Sequence, residues 1–451
     1  MDMMDMQGRH RGRRGRWLAV AGALALVTLL AAPALAATST RASVNNAGVQ
    51  GNDNSGATYT AGGGRFVVFE SSATNLAKGD TNSVSDIFLR DRQYGKTYRV
   101  SVGPINPATG KPVQANGPSH SARGLTPDGK FIAFESFATN LVNHDFNGTW
   151  DAFVRSRAAK ATYRVSQSTD GAEGNGPSAD PVISADGRFV AFESSASNLI
   201  PNDTNGAITD VFLRDRVNQT TTLISQSTAG GHGNHSSSDP FISTNGRFVV
   251  FESSASNLVP NDTNGETDIF VRDRSNGTTT RVSVNSSEVA GNAGSYSARI
   301  TPDGQFVAFE SFSSNLIPAV DDNHVADVFV RDRSTGTTSR VSLSSSEGQG
   351  NGFSSDPTIS ADGRYVAFES AATNFFSGDD NAHVDVFIRD RSNGATFPAS
   401  VGPGGGIGNA GSENPCFSVD GRYLAFASNS SNLVSGDTNN KKDIFVRGPF
   451  S

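Results

Sequence analysis

Seven short stretches of the sequence carry the same set of oxygen ligands, Asp-x-Asn followed by a further Asp. They are Asp80, Asn82 and Asp86; Asp145, Asn147 and Asp151; Asp262, Asn264 and Asp268; Asp321, Asn323 and Asp327; Asp379, Asn381 and Asp385; and Asp437, Asn439 and Asp443. Asp203, Asn205 and Asp210 form the seventh, one residue longer than the rest. Hard cations such as calcium need several oxygens, and turning loops with Asp at alternate positions and Gly near the bend supply them. Here the third position is Asn, and the fifth offers Val84, Thr149 or Val325, with Glu266 the exception. The same residues also serve as Asx turns, whose side chains bond nearby backbone while Gly148, Gly206 and Gly265 let the chain reverse. Both readings stand, a calcium ligand set and a turn, and Ca2+ is the one cofactor these loops suggest.

Other chemistry is sparse. The histidines His120, His144, His232, His235, His324 and His383 hold no common position. His232 and His235 share one loop within reach of a metal, but they read as two solvated loop histidines. There is no Gly-x-Ser-x-Gly nucleophile elbow and no His-Glu-x-x-His helix. Glu70, Glu135, Glu193, Glu252, Glu310 and Glu369 recur, with Ala427 at the seventh position, and so do Arg90, Arg155, Arg214, Arg272, Arg331, Arg389 and Arg447. A catalytic carboxylate is rarely needed six times, so these are expected to be structural Glu–Arg contacts. No catalytic residue is assigned.

The elements that must position these residues are themselves repeated. A turn with its glycine at Gly64, Gly129, Gly187, Gly246, Gly304, Gly363 and Gly421 leads into a strand containing Phe69, Phe134, Phe192, Phe251, Phe309, Phe368 or Phe426. An Asp-x-Phe-x-Arg run follows, with Phe88, Phe153, Phe212, Phe270, Phe329, Phe387 or Phe445. These positions hold 14 of the 29 Phe, so the aromatic bias is one core written seven times. In the fourth copy the pattern predicts strand A over Pro240–Ser243, B over Arg247–Ser253, C over Asp268–Arg274 and D over Thr280–Val284, each bounded by Gly, Asn or Asp turns. Helical periodicity is nowhere sustained. Four short strands at a fixed period indicate an all-β fold, a seven-bladed β-propeller. The seventh copy stops at Ile444-Phe445-Val446-Arg447 with no strand D, while Thr40-Arg41-Ala42-Ser43-Val44 stands alone before the first. The N-terminal strand is therefore expected to complete the last blade and close the ring, removing an exposed sheet edge. Loops B–C and D–A should then share one face, bringing the acidic loops beside a second repeated pattern, Gly-Asn-x-x-Ser, which reads as turns.

Ser184-Ala185-Asp186-Gly187-Arg188-Phe189-Val190-Ala191-Phe192, followed by Asp210-Val211-Phe212-Leu213-Arg214-Asp215, resembles the WD-like propeller repeat of TolB-type proteins. The resemblance spans about residues 40–451. It implies the propeller fold; such repeats serve as platforms for protein or ligand binding and as accessory domains of hydrolases.

Arg9, Arg11, Arg13, Arg14 and Arg16 precede an apolar run from Leu18 to Ala32, and Ala34-Leu35-Ala36 supplies a small-x-small cleavage pattern. Residues 1–36 thus read as a secretory signal and 37–451 as the propeller. The 451-residue chain has a net charge of -7; losing five Arg and two Asp leaves 32 basic and 42 acidic residues, a net of -10. That balance argues against a nucleic-acid partner, and no other stretch is apolar and long enough to span a membrane. Cys416, the single cysteine, excludes an internal disulfide framework. Two function classes follow. The first is a secreted (extracellular or periplasmic), monomeric, non-enzymatic module binding a protein, peptide or glycan across its acidic face. The alternative is an extracellular hydrolase or lyase with its site in the central funnel; non-repeated acidic or histidine residues at the axis would favour it.

Overall fold

The alternation of Val, Ile, Phe and Thr with turn residues folds as a set of antiparallel meanders. The computed structural model describes residues 37–450 apart from Thr204, Val320 and Asp322; the expected signal, residues 1–36, lies outside the described residues. Thirty strands, β1 to β30 in chain order, occupy the described residues, which contain no helix. Twenty-eight of them form seven four-stranded sheets. The blades span residues 55–99, 119–164, 178–223, 237–281, 295–340 and 354–398, and the seventh joins residues 412–448 to β1 (Thr38–Arg41).

Closure is antiparallel, with Thr38 opposite Gly448 and Arg41 opposite Phe445 of β30 (Asp443–Gly448). The N-terminal segment replaces a strand D residue for residue: Ser43 donates to Asp443 as Ser283 does to Asp268 in blade 4. The ring is thus an all-β, seven-bladed propeller, as the repeat predicts.

In every blade a Phe of strand B faces a Phe of strand C. The seven ring pairs have centroids 5.8–6.4 Å apart and interplanar angles of 26–29°. Each stacked pair adds about 0.5–1.5 kcal/mol beyond its area burial. The opposite face of each blade is small and aliphatic, and it receives the next blade's aromatic pair. Phe251 and Phe270 of blade 4 pack on Ala191, Val211 and Leu213 of blade 3. Phe69 and Phe88 pack in the same way on Ala425, Ala427, Ile444 and Val446, so the seventh blade meets the first through the same core.

In blade 4 strands B and C fall within one residue of the sequence expectation, and strands A and D differ by more. Blade 4 comprises β16 (Ser237–Ile242), β17 (Phe248–Ser253), β18 (Asp268–Asp273) and β19 (Thr278–Arg281). Strand A starts three residues early because a bulge between Ser238 and Phe241 carries it past Pro240, which has no N–H to give to a ladder. Strand D starts early because its ladder with strand C runs back to Thr278 opposite Asp273, and it ends at Arg281, short of Ser283, whose hydroxyl turns inward to Asp268. The longer first spacing, 65 residues, is an extra hairpin, β6 (Val102–Asn106) with β7 (Lys111–Gln114).

Candidate functional site

The acidic loops meet the D–A loops on one face, as the topology predicts. The Nδ2 of the loop Asn donates to a D–A carbonyl in all seven places: Asn82 to Ala115, Asn147 to Gly174, Asn205 to Gly233, Asn264 to Gly291, Asn323 to Gly350, Asn381 to Gly408 and Asn439 to Gly51, at 2.7–3.2 Å. The Gly-Asn-x-x-Ser pattern is a reciprocal amide clamp. Asn175 Nδ2 donates to Ser197 Oγ, its Oδ1 accepts the Ser197 N–H, and Asn198 Oδ1 accepts the Asn175 N–H.

The closing Asp of each acidic loop, Asp86, Asp151, Asp210, Asp268, Asp327, Asp385 or Asp443, is buried and accepts a strand-end serine hydroxyl. In five blades a strand-D arginine lies near both carboxylates. Arg281 is 2.9 Å from Asp262 and 3.1 Å from Asp268. Arg99 contacts Asp80 and Asp86, Arg340 contacts Asp321 and Asp327, and Arg41 contacts Asp437 and Asp443. Arg164 meets Asp145 and Asp151 with Glu173 added. In these loops a guanidinium supplies the positive charge that a bound cation would bring. Blades 3 and 6 differ, with Leu223 and Pro398 at the arginine's position. In blade 6, burial pushes the Asp385 carboxyl up to about 6, and Asp379 Oδ1 is buried with no hydrogen-bond partner.

The expected Glu–Arg contacts are not formed, and strand parity explains why. Glu252 lies opposite Ile269 and Arg272 opposite Val249, so the two side chains emerge from opposite faces of the blade. The arginines instead bond the preceding D–A segment, as when Arg272 donates to the Ser227 carbonyl and to Thr279 Oγ1. The glutamates reach the next blade. Glu135, Glu193, Glu252, Glu310 and Glu369 accept the backbone N–H of Asp180, Asp239, Ser297, Asp356 and Asn414 at 2.5–2.9 Å. Glu70 faces His120 Nδ1 at 3.2 Å.

The five backbone donors are the strand-A bulge residues, held at φ between 44° and 55°. They are also where the repeat stops repeating. Positions equivalent to Asp239 hold Ala57, Ser121, Asp180, Ser297, Asp356 and Asn414. Two residues on stand Tyr59, Arg123, Val182, Phe241, Arg299, Thr358 and Cys416. Residues from both rows line a cavity of about 270 Å³ among the A strands, reaching the A–B turns at Thr244, Pro302, Ala361 and Val419. Arg123 is 3.3 Å from Asp180 and forms a closer ion pair with Asp239, which Arg299 approaches to 3.6 Å. Burial works against the Asp239 carboxylate, but the two guanidiniums outweigh it and hold its pKa below the ordinary value. Asp356 accepts from Ser297 Oγ at 3.1 Å. Burial pushes the Cys416 thiol up to about 11. Sequence reasoning missed this lining; its signal was the variation, within an otherwise regular strand A, at the residue before or near the Pro or Ala that follows the bulge.

Burial also pushes Glu135, Glu193 and Glu310 up to about 7 and Glu369 up to about 8. A carboxyl whose pKa is higher folded than unfolded holds its proton preferentially in the fold, so its contribution is complete at low pH and is lost as pH rises toward the folded value. The chain is therefore expected to be less stable at pH 8 than at pH 5. Glu369→Gln keeps an oxygen for the Asn414 N–H and removes the titration. It should match the parent at pH 5 and exceed it by at least about 1 kcal/mol at pH 8 in denaturant unfolding; parallel pH profiles for the two would contradict this.

The sequence matches no family model and no curated protein. Among solved structures, the chain is similar to an oligogalacturonate lyase in complex with manganese, at 12% identity and TM-score 0.50 over 92% of this chain and 91% of that one. It is similar to the β-propeller domain of the trilobed protease from Pyrococcus furiosus, at 11% identity and TM-score 0.50 over 88% and 98%. TolB from Acinetobacter baumannii follows at 16% identity and TM-score 0.40 over 86% and 81%. The Pyrococcus domain is described as having an open velcro topology, whereas here β1 joins the last sheet. At such identities the likeness to the lyase and the protease domain shows the fold alone, a β-propeller.

Proposed function

We propose that this protein is a secreted, non-enzymatic binding module that takes a positively charged segment of a protein or peptide into the axial cavity. The observation that carries the reading is the break in the repeat at the axis, since a purely structural ring needs no such variation. Asp180 and Asp356 line the cavity together with Arg123 and Arg299, and Asp239 adds a third carboxylate to the network through its ion pairs with both guanidiniums. Counted with Asp239 the network carries one more carboxylate than guanidinium, and the Asp356 carboxylate accepts its hydrogen bond from the Ser297 hydroxyl. Tyr59, Phe241 and Phe417 add aromatic surface on which a lysine or arginine stem packs. Secretion rests on the basic and apolar pattern of residues 1–36. The calcium reading is kept for the blade 6 loop, Asp379, Asn381 and Asp385, where no arginine intervenes.

One observation favours the second reading, a hydrolase or lyase. The glutamates beside the axis have pKa values lifted to about 7 or 8, the range in which a general acid works near neutral pH. Proteins of similar fold include a lyase and a protease. Against it, the same carboxylates hold one backbone N–H apiece in five successive blades, a repeated structural task.

Calorimetric titration with three probe classes tests the proposal: Lys/Arg-rich peptides, Asp/Glu-rich peptides and neutral oligosaccharides. The expected result is binding of the basic peptides alone, weakened by salt, with the peptides recovered intact. Preference for acidic peptides, or cleavage of any probe, overturns it.

A further inference from the structure

Blade 3 departs from the repeat at three points, the first shared with blade 6, and all three meet in one acidic loop. The strand-D arginine found in five other blades is replaced by Leu223, which removes the internal cation. The D–A residue facing the loop is His232; its equivalents are Gln50, Gln114, Glu173, Ala290, Gln349 and Ile407. The loop is also one residue longer, and this changes the bonding of its Asn. In the other six loops the Asn Oδ1 accepts the N–H two residues on, from Val84, Thr149, Glu266, Val325, His383 or Lys441. Asn205 makes no such bond, and its Oδ1 is buried without a partner.

His232 is not the solvated loop histidine its sequence context suggests. Its Nδ1 is buried, has no hydrogen-bond partner, and points toward Asp203 Oδ1 at 3.9 Å, beyond hydrogen-bond reach. Donor atoms of Asp203, Asp210 and His232 all lie within 4.8 Å of one another. Two of the groups are fixed by the blade: Asp210 is buried and accepts from Ser225 Oγ at 2.7 Å, while Asn205 Nδ2 donates to Asp210 Oδ2 at 2.7 Å and to the Gly233 carbonyl. The Asp203 side chain is 2% exposed.

We propose that blade 3 holds one divalent first-row transition ion of the zinc class, bound by Asp203, Asp210 and His232 Nδ1. Two carboxylates and an imidazole suit such an ion better than calcium, which takes oxygen ligands throughout. The two carboxylate charges are neutralised by a divalent ion, the task that arginine performs in five other blades. His235 lies two residues beyond the Gly233 carbonyl and takes no part. The proposal is independent of the axial binding reading, because its test measures metal and not peptide.

Isothermal titration of the untagged mature chain with Zn2+ alone, and separately with Ca2+, decides it. The parent is expected to bind one equivalent of Zn2+ at least tenfold more tightly than Ca2+ at this site. His232→Ala should weaken Zn2+ binding at least tenfold. Leu223→Arg should abolish it while leaving unfolding in chelator nearly unchanged, because five other blades carry arginine there and fold around it. If Zn2+ fails to bind, binds equally well to both variants, or binds more weakly than Ca2+, the assignment is wrong.

Discussion

A chain that starts at Asn45, lacking residues 37–44, is expected to lose its cooperative unfolding transition and its β-type circular dichroism at room temperature. The lost segment leaves β30 as a bare edge beside Ile444 and Val446, which are fully buried in the intact ring. It also removes Arg41 from Asp437 and Asp443, and the Ser43 hydroxyl from Asp443. Stripping a partner from a buried charge costs about 3–5 kcal/mol, and each lost backbone hydrogen bond costs about 1 kcal/mol more. The total rivals the ~5–15 kcal/mol that holds a native domain together. A permuted chain that begins at Ser55 and carries residues 37–54 after its C-terminal end should recover the transition, since closure needs the strand and not its position in sequence. A truncated chain with the parent's unfolding midpoint would refute the closure account.

The second large effect is expected at Asp268, and a matched substitution shows its origin. Asp268→Ala removes the carboxylate 3.1 Å from Arg281 and leaves that guanidinium with Asp262 as its carboxylate partner. Both side chains are at least nine-tenths buried, so the loss should be about 3–5 kcal/mol. Asp210→Ala removes the equivalent carboxylate in blade 3, where Leu223 stands in place of arginine. There, burial and the neighbouring Asp203 charge both disfavour the ionised form of Asp210. Its removal in the absence of metal should cost about 1–2 kcal/mol, the value of the hydrogen bonds from Ser225 and Asn205. Denaturant unfolding in chelator compares the two; equal losses would mean that arginine does not hold these loops.

The ring was legible in the sequence because its determinants are local and repeated. The Phe of strands B and C, the turn glycines and the orphan segment Thr40–Val44 each announce their place without knowledge of the partner blade. What lay hidden depends on direction. Glu252 and Arg272 look paired when read as two conserved-looking columns of one repeat, but counting residues along β17 and β18 puts them on opposite faces. The arginine-filled loops were missed for a related reason. Arg99, Arg164, Arg281 and Arg340 belong to strand D and the aspartates to loop B–C, and only the sheet order brings the two together. The exceptions, Leu223 and Pro398, were visible in the sequence as breaks in that column. The axial lining was obscured by the bulge, which turns Asp180, Asp239 and Asp356 out of the simple alternation that strand reading assumes. The same bulge moved strand A three residues from its expected start.

The central claim is that ligand recognition lies at the axis, where the repeat breaks, and not in the acidic loops that repeat around it. The most direct measurement is the affinity of one basic peptide for two matched variants, Asp356→Asn in the axial cavity and Asp262→Asn in an arginine-filled loop. The account predicts that Asp356→Asn weakens binding at least tenfold while Asp262→Asn leaves it within twofold of the parent. Binding that survives Asp356→Asn but falls in Asp262→Asn would contradict it.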